Sequence, residues 1–125
     1  MNESYVRGDQ PRPDVYRVRV EGLLDTAAGS RMLRQLDAHL HLIRSGLVGT
    51  RHLLVDLSAA VSTPRGMRAL PHIRHAAQSQ QLTVHLIGAH RLAARLTPAE
   101  RAVLRGLHNY PDMGAALRDL SPAPA

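Results

Sequence analysis

The 125 residues contain no cysteine, no lysine, no phenylalanine and no tryptophan, and only three tyrosines. Without cysteine there are no disulfides, no thiolate nucleophile and no cysteine metal site. A core with so few aromatics must be packed from Leu, Val, Ile, Ala and Met, and it offers no aromatic platform for a flat ligand. Missing, too, is any apolar run of membrane-spanning length, and the start of the chain, MNESYVRGDQPRPD, has no apolar signal region. These absences lead us to expect a cytoplasmic protein with no membrane insertion.

What is present reads as one globular domain. Hydrophobic residues make up 44% and charged residues 21%, the balance of a folded chain rather than a disordered one. The formal net charge of +6 is unevenly spread. Residues 1 to 59 net +1, residues 60 to 108 net +6 with Glu100 their single acid, and residues 109 to 125 net −1. All 16 basic side chains are arginine, whose planar fork suits carboxylate and phosphate. The charge alone raises nucleic acid as a partner. It is not the expected one, because no aromatic-plus-arginine stacking pattern, basic glycine-rich tail or zinc module accompanies it.

Residues 1 to 13 are polar with two prolines and read as a flexible leader; residues 121 to 125, SPAPA, read as a disordered tail. Between them, residues 14 to 120 alternate strand and helix signals. Strict period-two alternation over 15 to 20 predicts a half-buried strand. Gly22 permits a turn or bulge, and Asp25 or Thr26 is placed to cap a helix over 27 to 44, whose apolar line is Met32, Leu33, Leu36, Leu40 and Ile43. Ser45-Gly46 should end it. The run 52 to 57 reads as an interior strand, Thr63-Pro64 as a helix start, and 64 to 80 as a helix that Pro71 must kink or divide. Residues 82 to 88 give another strand. Thr97-Pro98-Ala99-Glu100 has the form of a capping box with Pro at the first helical position. A last helix covers 113 to 120. Right-handed crossovers then imply a small, mostly parallel sheet of four or five strands, with an extra strand from the leader or from 107 to 110 and helices on at least one face.

The chemistry-bearing inventory is thin. None of the eight histidines forms HExxH, and His72 with His75 read as solvated helix residues. No GxSxG, GxGxxG or GxxxxGK motif occurs. Asp56 ends a strand as a receiver-domain phosphoacceptor would, but a receiver needs a lysine. The expectation is a non-enzyme without cofactor or metal. Asp25 and Asp56, both at element ends, read as capping or loop-bonding groups, or else as the frame of a partner surface near Thr63. Arg65 and Arg68, one turn apart, read as a solvated face or as contacts to a partner's carboxylates.

The ordered segments VYRVRVEGLLDTAA, HLLVDLSAAVSTPRGMRAL, LTVHLIGA and YPDMGAALRDL resemble the STAS domain of bacterial anti-sigma factor antagonists and of the cytosolic tails of sulfate transporters. The likeness spans residues 14 to 120 and rests on Gly22 to Asp25 before the first helix, on Asp56-Leu57-Ser58 at a strand end, and on Ala116-Leu117 in the last helix. It implies a STAS-like α/β single domain that binds proteins in bacterial signalling and transcription regulation. The implied partner is an anti-sigma factor of the serine-kinase type, met through Asp25, Asp56, Ser58, Ser62, Thr63, Arg65, Gly66 and Arg68; a homodimer is an open arrangement. A soluble cytosolic STAS subunit of a lipid-transport ABC complex is the alternative. Regulatory members carry Asp-Ser-Ser-Gly at the start of the second helix, and phosphorylation of the first serine weakens partner binding. Here that stretch is Thr63-Pro64-Arg65-Gly66, so the acceptor position falls on Pro64, leaving Ser62 and Thr63 as the hydroxyls available for phosphorylation.

Overall fold

Alternation sends Tyr16, Val18 and Val20 to one side of strand β2 (Val15–Leu24) and Val15, Arg17 and Arg19 to the other. In the computed structural model, which describes residues 4 to 92 and 96 to 120, β2 lies second in a five-stranded sheet of order β1-β2-β3-β4-β5. Strand β1 (Tyr5–Arg12) is antiparallel to it, with Tyr5 opposite Glu21 and Asp9 opposite Arg17. The flexible leader expected over residues 1 to 13 is thus corrected from Tyr5 onward to an edge strand. It is held there by the main-chain ladder and by Arg17, which donates to both Asp9 carboxylate oxygens at 2.9 and 2.6 Å. The tail 121 to 125, expected to be disordered, lies outside the described residues.

Strands β3 (His52–Ser62), β4 (Thr83–Ile87) and β5 (His108–Tyr110) extend the sheet in parallel. β3 runs five residues beyond the apolar stretch that announces it, because β2 continues through Gly22 to Leu24 and offers ladder partners as far as Ser62. The extra strand at 108 to 110 is present as well.

Helix α1 (Thr26–Arg44) buries Met32, Leu36 and Leu40 on the sheet and ends at Ser45, with Gly46 at φ +74 beyond it. The second helical pattern is divided, as Pro71 required, but the break falls at Arg68: α2 (Pro64–Met67) is followed by α3 (Ala69–Gln78). Pro71 then sits in the first turn of α3, where a backbone N–H has no intrahelical acceptor. After β4 comes a 3-10 turn, Ala89–Arg91. Helix α4 (Pro98–Arg105) carries the expected capping box in full, Thr97 N–H donating to Glu100 Oε1 at 2.9 Å and Glu100 N–H to Thr97 Oγ1 at 3.2 Å. Helix α5 (Met113–Asp119) is capped by Asp112.

The main core joins Tyr16, Val18, Val20, Leu53, Val55, Leu57 and Leu86 of the sheet to α1, α2 and α3. A smaller core on the opposite face joins Val15, Leu54, Ile87 and Tyr110 to Ala116 and Leu120 at α5. Arg12, at the end of β1, donates to the Leu117 carbonyl at 3.1 Å and to that of Leu120, which ties the edge strand to the C-terminus of α5. Among the described residues no helix is long and apolar enough to cross a membrane.

Candidate functional site

Because β2 and β3 are parallel neighbours, their carboxyl ends emerge side by side, Leu24 paired with Ser62. Each then enters a helix through a side-chain cap. Asp25 accepts from Ala28 N–H at 2.9 Å at the start of α1. Thr63 accepts from Gly66 N–H at 3.1 Å at the start of α2. The two caps are stitched together: Thr63 donates its N–H to the Leu24 carbonyl at 3.1 Å and its hydroxyl to the same oxygen at 2.9 Å. Gly66 is required at its place, since a Cβ there would overlap the Leu24 carbonyl oxygen. A second close approach lies one helix turn on, where a Cβ at Gly29 would meet the Ala69 Cβ at 3.2 Å.

These close approaches leave a groove between the N-terminal half of α1 and the α2–α3 pair. Its upper part, about 540 Å³, is lined by Asp25, Thr26, Ala27, Thr63, Pro64, Arg65 and Arg68. The lower part, about 370 Å³, shares Thr26, Arg65 and Arg68 and adds Gly29, Ser30, Leu33, Ala69 and His72. Pro64, Arg65, Arg68 and His72 are exposed on its rim, whereas Gly66 is buried behind them. The surface is therefore a shallow apolar trough with cations along one wall, suited to a partner surface that carries carboxylates.

Of the residues singled out in the sequence, Asp25, Thr63, Arg65, Gly66 and Arg68 come together here. Ser62 lies half-buried at the end of β3, beside them. Asp56 and Ser58 do not join them. Asp56 is 4% exposed and sits at a bulge where the register of β3 against β2 shifts. It accepts from Ser58 N–H at 3.0 Å and from the Ser58 hydroxyl, with the Arg17 guanidinium 3.8 Å away. The Ser58 carbonyl accepts in turn from Arg91 at 3.1 Å. Both carboxylates thus accept main-chain N–H groups, Asp25 from the first turn of α1 and Asp56 from within β3. The α1 wall of the groove, Thr26, Gly29, Ser30 and Leu33, was missed. Its signal was the Gly29-Ser30 pair inside a helical pattern, which marks close helix approach.

The histidines sort by burial. His72 and His75 are solvated on α3, as expected. His39 is buried, stacked on Tyr16 with ring centroids 3.7 Å apart and bonded through Nε2 to Thr50 Oγ1 at 2.7 Å; desolvation pushes it below its ordinary pKa. His52 and His85 meet at 3.3 Å on the α5 side of the sheet, and burial together with the neighbouring imidazoles of His52 and His108 pushes His85 down to about 4. Among the described residues no group of three or more His, Asp or Glu is arranged to hold a metal ion.

A four-stranded parallel sheet with an antiparallel edge strand, its main helices on one face and paired capped helix starts at the strand ends, is the STAS fold. Solved structures with the same arrangement include an anti-sigma factor antagonist from Mycobacterium paratuberculosis, with TM-score 0.67 and 19% identity over 96% of each chain. An RsbS variant from Moorella thermoacetica gives TM-score 0.63 and 24% identity over 92% of this chain and 93% of that one. The anti-sigma factor antagonist SpoIIAA in its unphosphorylated form gives TM-score 0.64 and 12% identity over 92% and 96%. No family model and no curated protein matches the chain.

Proposed function

We propose that this chain is a non-enzymatic partner-binding module of bacterial signalling that acts as an anti-sigma factor antagonist. The partner is an anti-sigma factor of the serine-kinase type, docked in the groove between α1 and α2–α3. The observation that carries this reading is the groove itself: two capped helix starts locked together through Thr63 and Leu24, with Arg65 and Arg68 projecting beside them. The fold is that of solved anti-sigma factor antagonists over nearly the whole chain.

Docking is constitutive in this proposal. The residue in the acceptor position is Pro64, which has no hydroxyl, and the neighbouring Thr63 hydroxyl is engaged both as donor to Leu24 and as acceptor from Gly66. Phosphorylating Thr63 would remove the proton it donates to the Leu24 carbonyl and so release the tie between the two helix starts.

The test is co-purification from the native cell with identification of the partner, followed by direct binding to the kinase-type anti-sigma factor recovered and intact mass after incubation with it and ATP. Expected are a stable complex, its loss in the Arg65→Glu/Arg68→Glu variant, and an unchanged mass. Recovery of an ABC ATPase in place of a kinase-like protein would move the chain to the transporter-subunit reading. Stoichiometric phosphate on Ser62 or Thr63 would sink the constitutive one.

A further inference from the structure

On the far side of α3 from the groove, the turn after β4 and helix α4 flank an open cleft of about 420 Å³, within the range of small-molecule sites of about 300–1,000 Å³. Ala89, Pro98 and Leu104 give it an apolar lining, and His90, Arg101 and Arg105 stand around it. The cleft lies beyond the carboxyl ends of the parallel strands β4 and β5, a location where open α/β sheets take ligands.

Charge decides what would enter. Arg101 and Arg105 are one helical turn apart, exposed, and engaged in no ion pair among the described residues. Glu100, the single acid between residues 60 and 108, is turned back onto the Thr97 N–H to close its own capping box. The positive field of the cleft is therefore left without a counter-charge from its own segment. Asn109 adds a fixed polar group: its Oδ1 accepts from Ala89 N–H at 3.0 Å, which orients its amide N–H donors. Apolar lining, two forked cations and an oriented amide together match a head-and-body ligand.

We propose that this cleft binds a small organic anion, a carboxylate, phosphate or sulfonate head on a compact apolar body, with Arg101 and Arg105 holding the head and Ala89, Pro98 and Leu104 the body. Neither half of the site suffices alone. An exposed arginine pair without the apolar lining would be screened by salt, and the lining without the pair would not select charge.

The probe is 8-anilinonaphthalene-1-sulfonate, compared with N-phenyl-1-naphthylamine, which has the same rings and no sulfonate. In fluorescence titrations of the whole chain at about 0.15 M salt, the sulfonate should saturate one site and bind more tightly than the neutral amine. Arg101→Met/Arg105→Met should weaken the sulfonate by about tenfold or more and leave the amine unchanged. Leu104→Gln should weaken both. Amide shifts in NMR spectra should fall on Ala89, Leu104 and Asn109, and millimolar inorganic phosphate should fail to displace the probe. Unchanged thermal unfolding of the double variant confirms that the fold is intact, as both arginines are exposed. Equal sulfonate binding by wild type and double variant overturns the proposal, as do shifts confined to the groove around Ser30 and His72, or displacement by phosphate alone.

Discussion

The backbone of Gly66 rests directly on the carbonyl of Leu24, and that same carbonyl receives both the N–H and the hydroxyl of Thr63. One oxygen at the end of β2 thus sets where α2 begins and how closely it approaches α1. The proposed docking groove is a consequence of that approach.

Gly66→Ala should therefore act on position, not on helix propensity. The added methyl would meet main chain, which cannot rotate away, so α2 must shift outward. We expect a loss of about 2–3 kcal/mol in urea unfolding, and a weaker complex with the proposed partner even where the variant remains folded. An alanine variant as stable as wild type would show that the approach is looser than described.

Thr63→Val removes the cap and the hydroxyl bond to Leu24 while keeping the side-chain shape. The expected cost is about 1–2 kcal/mol. Hydrogen exchange should quicken first at Gly66 and Met67, the amides of the first turn. Thr63→Ser, which restores both bonds, should recover most of the stability.

Asp56→Ala separates a structural from a docking role. It strips the acceptor from the Ser58 N–H inside the sheet, at an expected cost of about 1–3 kcal/mol, yet Asp56 is buried away from the groove and partner affinity should hold in the folded fraction. Loss of affinity in calorimetry without loss of stability would place Asp56 in the interface after all.

Acid should destabilise the α5 side of the sheet. His85 is buried beside His52 and His108 with its pKa lowered from 6.5 to about 4, so its neutral form is the one the fold favours. Its contribution is complete above pH 6.5 and is lost as pH falls from there toward 4. The loss is about 2–3 kcal/mol from this residue, with His52 and His39, also lowered, acting in the same direction. Urea unfolding at pH 7.5, 5.5 and 4.5 should show this decline, and His85→Gln should flatten it. A profile with the same slope in the variant would assign the acid sensitivity elsewhere.

Local signals in the sequence carried the elements with strong periodicity or explicit caps. The alternation from Val15, the apolar line of α1, the capping box at Thr97 and the Thr63-Pro64 helix start are properties of neighbouring residues, and the chain obeys them. The arrangement of segments was enough to point to the STAS fold, and four of the residues it singled out, Asp25, Thr63, Arg65 and Arg68, line the groove.

Tertiary structure decided what depends on partners far along the chain. Tyr5–Arg12 carries no strong strand signal and becomes a strand because β2 has a free edge and Arg17 a place for Asp9. β3 lengthens to Ser62 because Glu21 to Leu24 extend beside it. Asp25 and Asp56 looked alike as acids at strand ends. Strand pleat and the bulge at Ser58 bury one inside the sheet and leave the other beside the groove, and a one-dimensional pattern holds neither fact. The α1 wall is of the same kind: Gly29 and Ser30 acquire meaning only when Ala69 and Gly66, some forty residues on, are packed against them.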